Sequence, residues 1–145
     1  MKGQGKGDAC ARGSRLLPFK GGKRMSPKIL VVDDDRNLLR LFEYVLQKAG
    51  FTVITAMDGE RGLELALAER PDLVMLDLKM PKLDGMEVLR KLKADPSTAA
   101  IPVVVITASA QKADAERALQ EGAVGYLVKP FRIAELIYCV RTALS

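Results

Sequence analysis

The chain contains no histidine. That absence excludes a histidine-based catalytic triad and any histidine-ligated metal centre. Cysteine is scarce as well. Cys10 and Cys139 stand near opposite ends without metal-type spacing, and they read as two free thiols of a reducing compartment. No apolar run approaches the roughly 20 residues needed to span a bilayer. The N-terminus has basic residues but lacks the apolar stretch of about 7–15 residues that a secretory signal carries. These gaps predict a cytoplasmic protein with no membrane partner.

What is present suits one ordinary globular domain. The 145 residues are 48% hydrophobic and 28% charged, enough to build a core. The net charge of +5 is unevenly placed. Residues 1–24 hold seven Lys/Arg and one acid, Asp8, whereas residues 25–145 hold sixteen Lys/Arg and seventeen Asp/Glu. The first stretch, rich in Gly and Lys/Arg with little apolar periodicity, reads as a disordered basic leader. Either a vector-derived leader or an over-extended start accounts for it, because Met25 opens "MSPKILVVDDD". A nucleic-acid arm is the rival reading of the same charges. The folded domain is placed at 25–145.

From Lys28 the pattern alternates regularly. Apolar strands are predicted at 28–32, 51–55, 72–77, 102–107 and 124–128. Between and after them, periodicity predicts helices ending at Gly50, over 58–70, 85–95 and 111–122, and over 132–144. Strands apolar on both faces that alternate with helices imply a parallel sheet covered on both sides. Five strands are too few for a closed eight-stranded barrel. An α/β doubly wound open sheet remains, and such sheets bind ligands at the carboxyl ends of their strands.

Chemistry gathers at those ends. The first strand runs into Asp33 and Asp34, the third ends at Asp77, the fourth at Thr107 and the fifth at Lys129. A carboxylate at the end of a core strand is costly unless it is paired. Three of them in one pocket repel one another and raise one another's pKa. A divalent cation resolves the conflict, and an oxygen-only donor set favours Mg2+, with Mn2+ possible, over zinc. Three carboxylates are then balanced by the metal and Lys129. A hard metal, a lysine and a hydroxyl together suit a phosphoryl group. If that group becomes covalent, one Asp is the nucleophile, and Asp77 is best placed. Asp35 reads as the cap of the first helix. Gly59, Gly62, Gly85, Gly122 and Gly125 read as turn or packing residues.

The segments "ILVVDDD", "LVMLDLKMPKLDGMEVL", "VVVITA" and "GAVGYLVKPF", in this order and at these spacings, resemble the receiver domain of bacterial response regulators of two-component and chemotaxis signalling. The resemblance covers residues 28–144. It implies a flavodoxin-like sheet of order 2-1-3-4-5 and a phosphoacceptor role for Asp77. Asp34 would bind Mg2+ directly, Asp33 largely through water, and the Lys79 backbone carbonyl would complete the protein ligands. Lys129 would pair with the phosphoryl oxygens, next to a cis Lys129–Pro130 bond. Thr107 would move toward the phosphoryl group and Tyr126 would change rotamer in concert. Ala108 would leave access to the acyl phosphate, and Pro81, Asp84 and Gly85 would shape the loop after the acceptor.

The resemblance implies a non-enzyme switch with limited autophosphorylation and autodephosphorylation. A histidine kinase or histidine phosphotransfer protein would phosphorylate Asp77. A downstream protein would read the face made by the fourth helix, fifth strand and fifth helix, and nucleic acid is not expected as a partner. The chain ends where the fifth helix ends, which reads as a stand-alone receiver. A phosphorylation-independent adaptor and the receiver fragment of a longer DNA-binding regulator stay open as alternatives. A Mg2+-dependent aspartyl-phosphate phosphatase ranks lower, since such enzymes carry a second Asp where Lys79 stands.

Overall fold

A computed structural model describes residues 26–80, 84–108 and 112–145. The leader at 1–24, Cys10, Met25 and Pro81 lie outside the described residues. Strands β1 (Lys28–Val32), β2 (Thr52–Ala56), β3 (Leu73–Asp77), β4 (Val103–Ala108) and β5 (Gly125–Lys129) alternate with helices α1 (Arg36–Lys48), α2 (Gly59–Glu69), α3 (Gly85–Ala94), α4 (Lys112–Gln120) and α5 (Ile133–Leu144). The strands form one sheet of order β2-β1-β3-β4-β5, and every pairing is parallel. This is the α/β doubly wound architecture and strand order expected from the sequence.

The pleat divides the core in two, because successive strand side chains point to opposite faces. Leu30, Val32, Val74, Leu76, Val103 and Val105 pack under α2, α3 and α4 with Ala66, Leu89, Leu92 and Ala118. Ile29, Val31, Leu73, Met75, Val104 and Ile106 pack under α1 and α5 with Phe42, Leu46, Leu136 and Val140. The helices differ in what they bury. α1 buries Leu39, Phe42, Val45 and Leu46, and α3 buries Met86, Val88, Leu89 and Leu92. α4 buries only Ala115 and Ala118.

Helix ends explain where the observed bounds differ from those read in the sequence. Asp35, Asp58 and Asp84 cap α1, α2 and α3 through their side chains. After α1, Gly50 takes φ +100°, its N–H donates to Gln47 O, and Phe51 N–H donates to Leu46 O at 2.9 Å. This is the Schellman closure. It buries Phe51 against the α1 and α5 core, so β2 starts one residue later than the apolar run does. The same closure follows α4, where Gly122 has φ +112° and Ala123 N–H donates to Ala118 O.

Candidate functional site

The parallel register brings the carboxyl ends of four strands to one edge. Asp77 sits level with Ile106 and Ala108 with Lys129, so Thr107 lies between the acid of β3 and the lysine of β5. Asp33 follows β1, its N–H held by the Ala56 carbonyl of β2 at 3.0 Å. Strand β2, whose end carries no ionisable residue, thus contributes a backbone anchor. Asp33, Asp77 and Thr107 are buried, while Asp34 is exposed.

One carboxylate oxygen each from Asp33, Asp34 and Asp77 lie within 4.8 Å of one another. Lys129 Nζ stands 3.4 Å from Asp33 Oδ2 and 3.7 Å from Asp77 Oδ2. Asp33 Oδ1 accepts from Asp35 N–H at 2.9 Å, and Asp77 Oδ1 accepts from Lys79 N–H at 3.1 Å. Asp33 Oδ2 is buried without a hydrogen bond of good geometry among the described residues. Burial pushes the Asp33 carboxyl up, against the Asp35 N–H and the Lys129 ammonium. Burial likewise pushes Asp77 up to about 6, and the Asp33 charge adds to it; the Lys79 N–H and Lys129 act in the opposite sense. Asp35 was expected only as a cap. Its second role, the N–H on Asp33, has no signature in sequence, because any residue there supplies an N–H.

The donor set fits a hard divalent cation. It is all oxygen, it carries more negative charge than Lys129 offsets, and it holds one buried carboxylate oxygen with no hydrogen bond. Lys79, two residues after Asp77, is exposed, and its N–H donates to Asp77 Oδ1.

The loop after β3 is shaped by Gly85. A Cβ at this position would stand 2.3 Å from Asp77 O and 2.6 Å from Leu78 Cα, and Gly85 N–H donates to Leu78 O at 3.3 Å. Only glycine lets α3 start so close to the acidic strand end.

Around the site, Thr107 Oγ1 contacts the Ala108 carbonyl at 3.3 Å and the Lys129–Pro130 bond is cis. Tyr126, on β5, is partly exposed. It lines a groove of about 700 Å3 between β5 and α5 together with Ala134, Tyr138 and Cys139. Cys139 is a free thiol, pushed up in pKa by burial. Among the described residues, no helix is long and apolar enough to cross a membrane.

A family model described as the response regulator receiver domain matches residues 29–141. The chain is 43% identical over 118 residues to the "DNA-binding dual master transcriptional regulator RpaA" of Synechocystis sp., covering 81% of this chain and 49% of that protein. Among solved structures it resembles a putative response regulator from Chloroflexus aurantiacus, with TM-score 0.79 and 32% identity over 82% of this chain and 98% of that one. It also resembles chemotaxis response regulator CheY4 of Vibrio cholerae, with TM-score 0.77 and 29% identity over 82% and 99%. The chain spans about half the length of the first curated relatives it matches.

Proposed function

The chain belongs to the response regulator receiver family over residues 29–141, and we propose that Asp77 is its phosphoacceptor. Receiver domains are phosphoacceptor switches of two-component systems that interact with histidine kinases and bind Mg2+ in an acidic pocket. The observation that carries the assignment is Lys129 Nζ set between the carboxylates of Asp33 and Asp77 at 3.4 and 3.7 Å. Asp77 is the member of that group that ends a strand in the middle of the sheet.

In this reading an Asp77 carboxylate oxygen attacks the phosphorus of a phosphohistidine on a kinase or phosphotransfer protein. The P–O bond to Asp77 forms as the P–N bond breaks, and the electron pair leaves on the imidazole. Lys129 pairs with the phosphoryl oxygens, and Thr107 donates its hydroxyl to one of them. Asp33, Asp34, Asp77 and the Lys79 carbonyl would hold Mg2+, or Mn2+, which would offset the charge of the phosphoryl oxygens. Thr107 and Tyr126 then rearrange, shifting the population of the α4, β5 and α5 face that a downstream protein reads. The receiver occupies residues 25–145, residues 1–24 are a basic leader outside it, and the protein works in the cytoplasm as a binding switch.

Two finer readings separate on experiment. Intact mass after incubation with acetyl phosphate, with and without Mg2+, should show one added phosphoryl group in wild type with Mg2+ and none in Asp77→Asn. No gain in wild type, under conditions that label another receiver, would favour a phosphorylation-independent adaptor. The relatives include a DNA-binding regulator of which the matched stretch makes up 49%, which supports weighing a receiver fragment beside the stand-alone form.

A further inference from the structure

Met57 is 40% exposed, whereas Met75 and Met86 are buried and Met80 is half-buried. It follows β2 directly and precedes Asp58, the cap of α2. Arg36, the first residue of α1, directs Nη2 at Met57 Sδ across 3.9 Å. The match is poor on both sides. A thioether sulfur is a weak acceptor, and the guanidinium has no ion pair among the described residues. Its charge also opposes the positive end of the α1 dipole, in a first turn that carries no acid.

The contact joins two connections that border the acids. Asp33 and Asp34 lie between β1 and α1. Asp33 N–H donates at 3.0 Å to the carbonyl of Ala56, the residue before Met57. A tighter Arg36–Met57 contact would therefore hold the turn that anchors Asp33 against the start of the helix that follows Asp34. One oxygen added to the sulfur supplies it. A sulfoxide oxygen accepts more strongly than a thioether, and a guanidinium N–H on it makes a charge-assisted bond. Cys139, the free thiol among the described residues, is less open to the same oxidants. Burial pushes its thiol up, which withholds the reactive thiolate.

We propose that Met57 is an oxidation site whose sulfoxide is captured by Arg36, so that a peroxide fastens the β2–α2 turn to α1 beside Asp33 and Asp34. In the step itself a lone pair of Met57 Sδ attacks one oxygen of hydrogen peroxide. The S–O bond forms as the O–O bond breaks, the second oxygen leaves with both protons as water, and the sulfur is oxidised by the two electrons that reduce the peroxide. Arg36 stays protonated and turns its N–H from sulfur to the new oxygen. The modification is of the kind that thiol-dependent sulfoxide reductases reverse. It does not depend on which acid accepts a phosphoryl group.

The test treats the full chain with hydrogen peroxide in chelator and follows each methionine by peptide mass, in wild type, Arg36→Ala, Met57→Leu and Met57→Gln. Sulfoxide should accumulate at Met57 at least about threefold faster than at Met75, Met80 or Met86. Oxidation should raise the thermal midpoint of wild type by about 3 °C, with no rise in Arg36→Ala or Met57→Leu. Each protein is compared with its own untreated form, so Met1 and Met25, present in all of them, cancel. Met57→Gln, whose amide oxygen can accept from Arg36, should melt above Met57→Leu without any oxidant. The Asp33 amide should exchange about threefold more slowly in oxidised wild type and unchanged in oxidised Arg36→Ala. Oxidation of Met75, Met80 or Met86 ahead of Met57 would overturn the proposal. So would the same midpoint shift in wild type and Arg36→Ala, or Asp33 exchange that oxidation leaves unaltered.

Discussion

The Lys129 ammonium reaches past β4 to stand 3.7 Å from Asp77 Oδ2. It thereby links the edge strand to the central one through charge. Asp33 and Asp77 are buried, and Lys129 is the cation that faces them both. Removing it leaves buried carboxylates without a counter-charge, the change that costs most in such clusters. Lys129 is about one-third exposed, so solvent moderates the loss. Lys129→Ala in chelator at neutral pH should lose about 1–2 kcal/mol in urea unfolding, and added Mg2+ should narrow the gap. Equal stability of the two proteins in chelator would contradict this.

Asp77 gives the metal-free protein a definite pH dependence. Its carboxyl, ordinarily near 3.8, is pushed up to about 6 by burial and by Asp33. Between those values the folded state binds the proton more tightly than the unfolded chain does. Stability contributed by this group is therefore present below the lower value and is lost as pH rises to the upper one. Asp77→Asn should stabilise the metal-free protein above pH 6 by about 1–2 kcal/mol, with little gain below pH 4. Urea titrations in chelator across that range check it, and a gain that grows toward acid would have the wrong sign.

Divalent cation should stabilise the fold in proportion to occupancy, reaching about 2.7 kcal/mol at a hundredfold excess over Kd. Asp34 is exposed, so Asp34→Ala should unfold like wild type in chelator. In Mg2+ it should lose most of the rise in thermal midpoint. A full rise in the variant would remove Asp34 from the ligand set.

Gly85→Ala places a methyl group against backbone atoms, at 2.3 Å from Asp77 O. Backbone cannot swing aside as a side chain can, so strand end or helix start must move. A loss of about 2–3 kcal/mol is expected, together with slower phosphorylation at Asp77. Gly125→Ala, where nothing lies within 4 Å of the added carbon, serves as the control and should not disturb the site.

Most of this architecture was legible because two simple signals coincide. Runs such as Leu73–Leu76 are apolar at every position, as strands of a sheet covered on both faces are, and four of the five runs lead into a residue with chemistry on the same edge. Asp33, Asp34, Asp77, Thr107 and Lys129 could thus be brought together from strand ends alone. Strand bounds slipped where a Schellman turn consumed residues that look like strand, as at Phe51. The rest depends on reach across the fold. The closeness of Gly85 to Asp77, the Asp35 N–H on Asp33 and the Arg36–Met57 contact involve distances that no spacing encodes. The β5–α5 groove arises from how two elements lean on each other, and its lining shows no pattern along the chain.

Ala115 and Ala118 are all that α4 buries, beside the larger side chains under α1 and α3. Few apolar contacts mean a low free energy of local opening. Amide hydrogen exchange in the unphosphorylated protein should accordingly proceed sooner along α4 than along α1, α3 or α5. The fold thus sets a lightly anchored helix against β4, so that re-aiming this part of the surface need not disturb the packing that holds the acids in place.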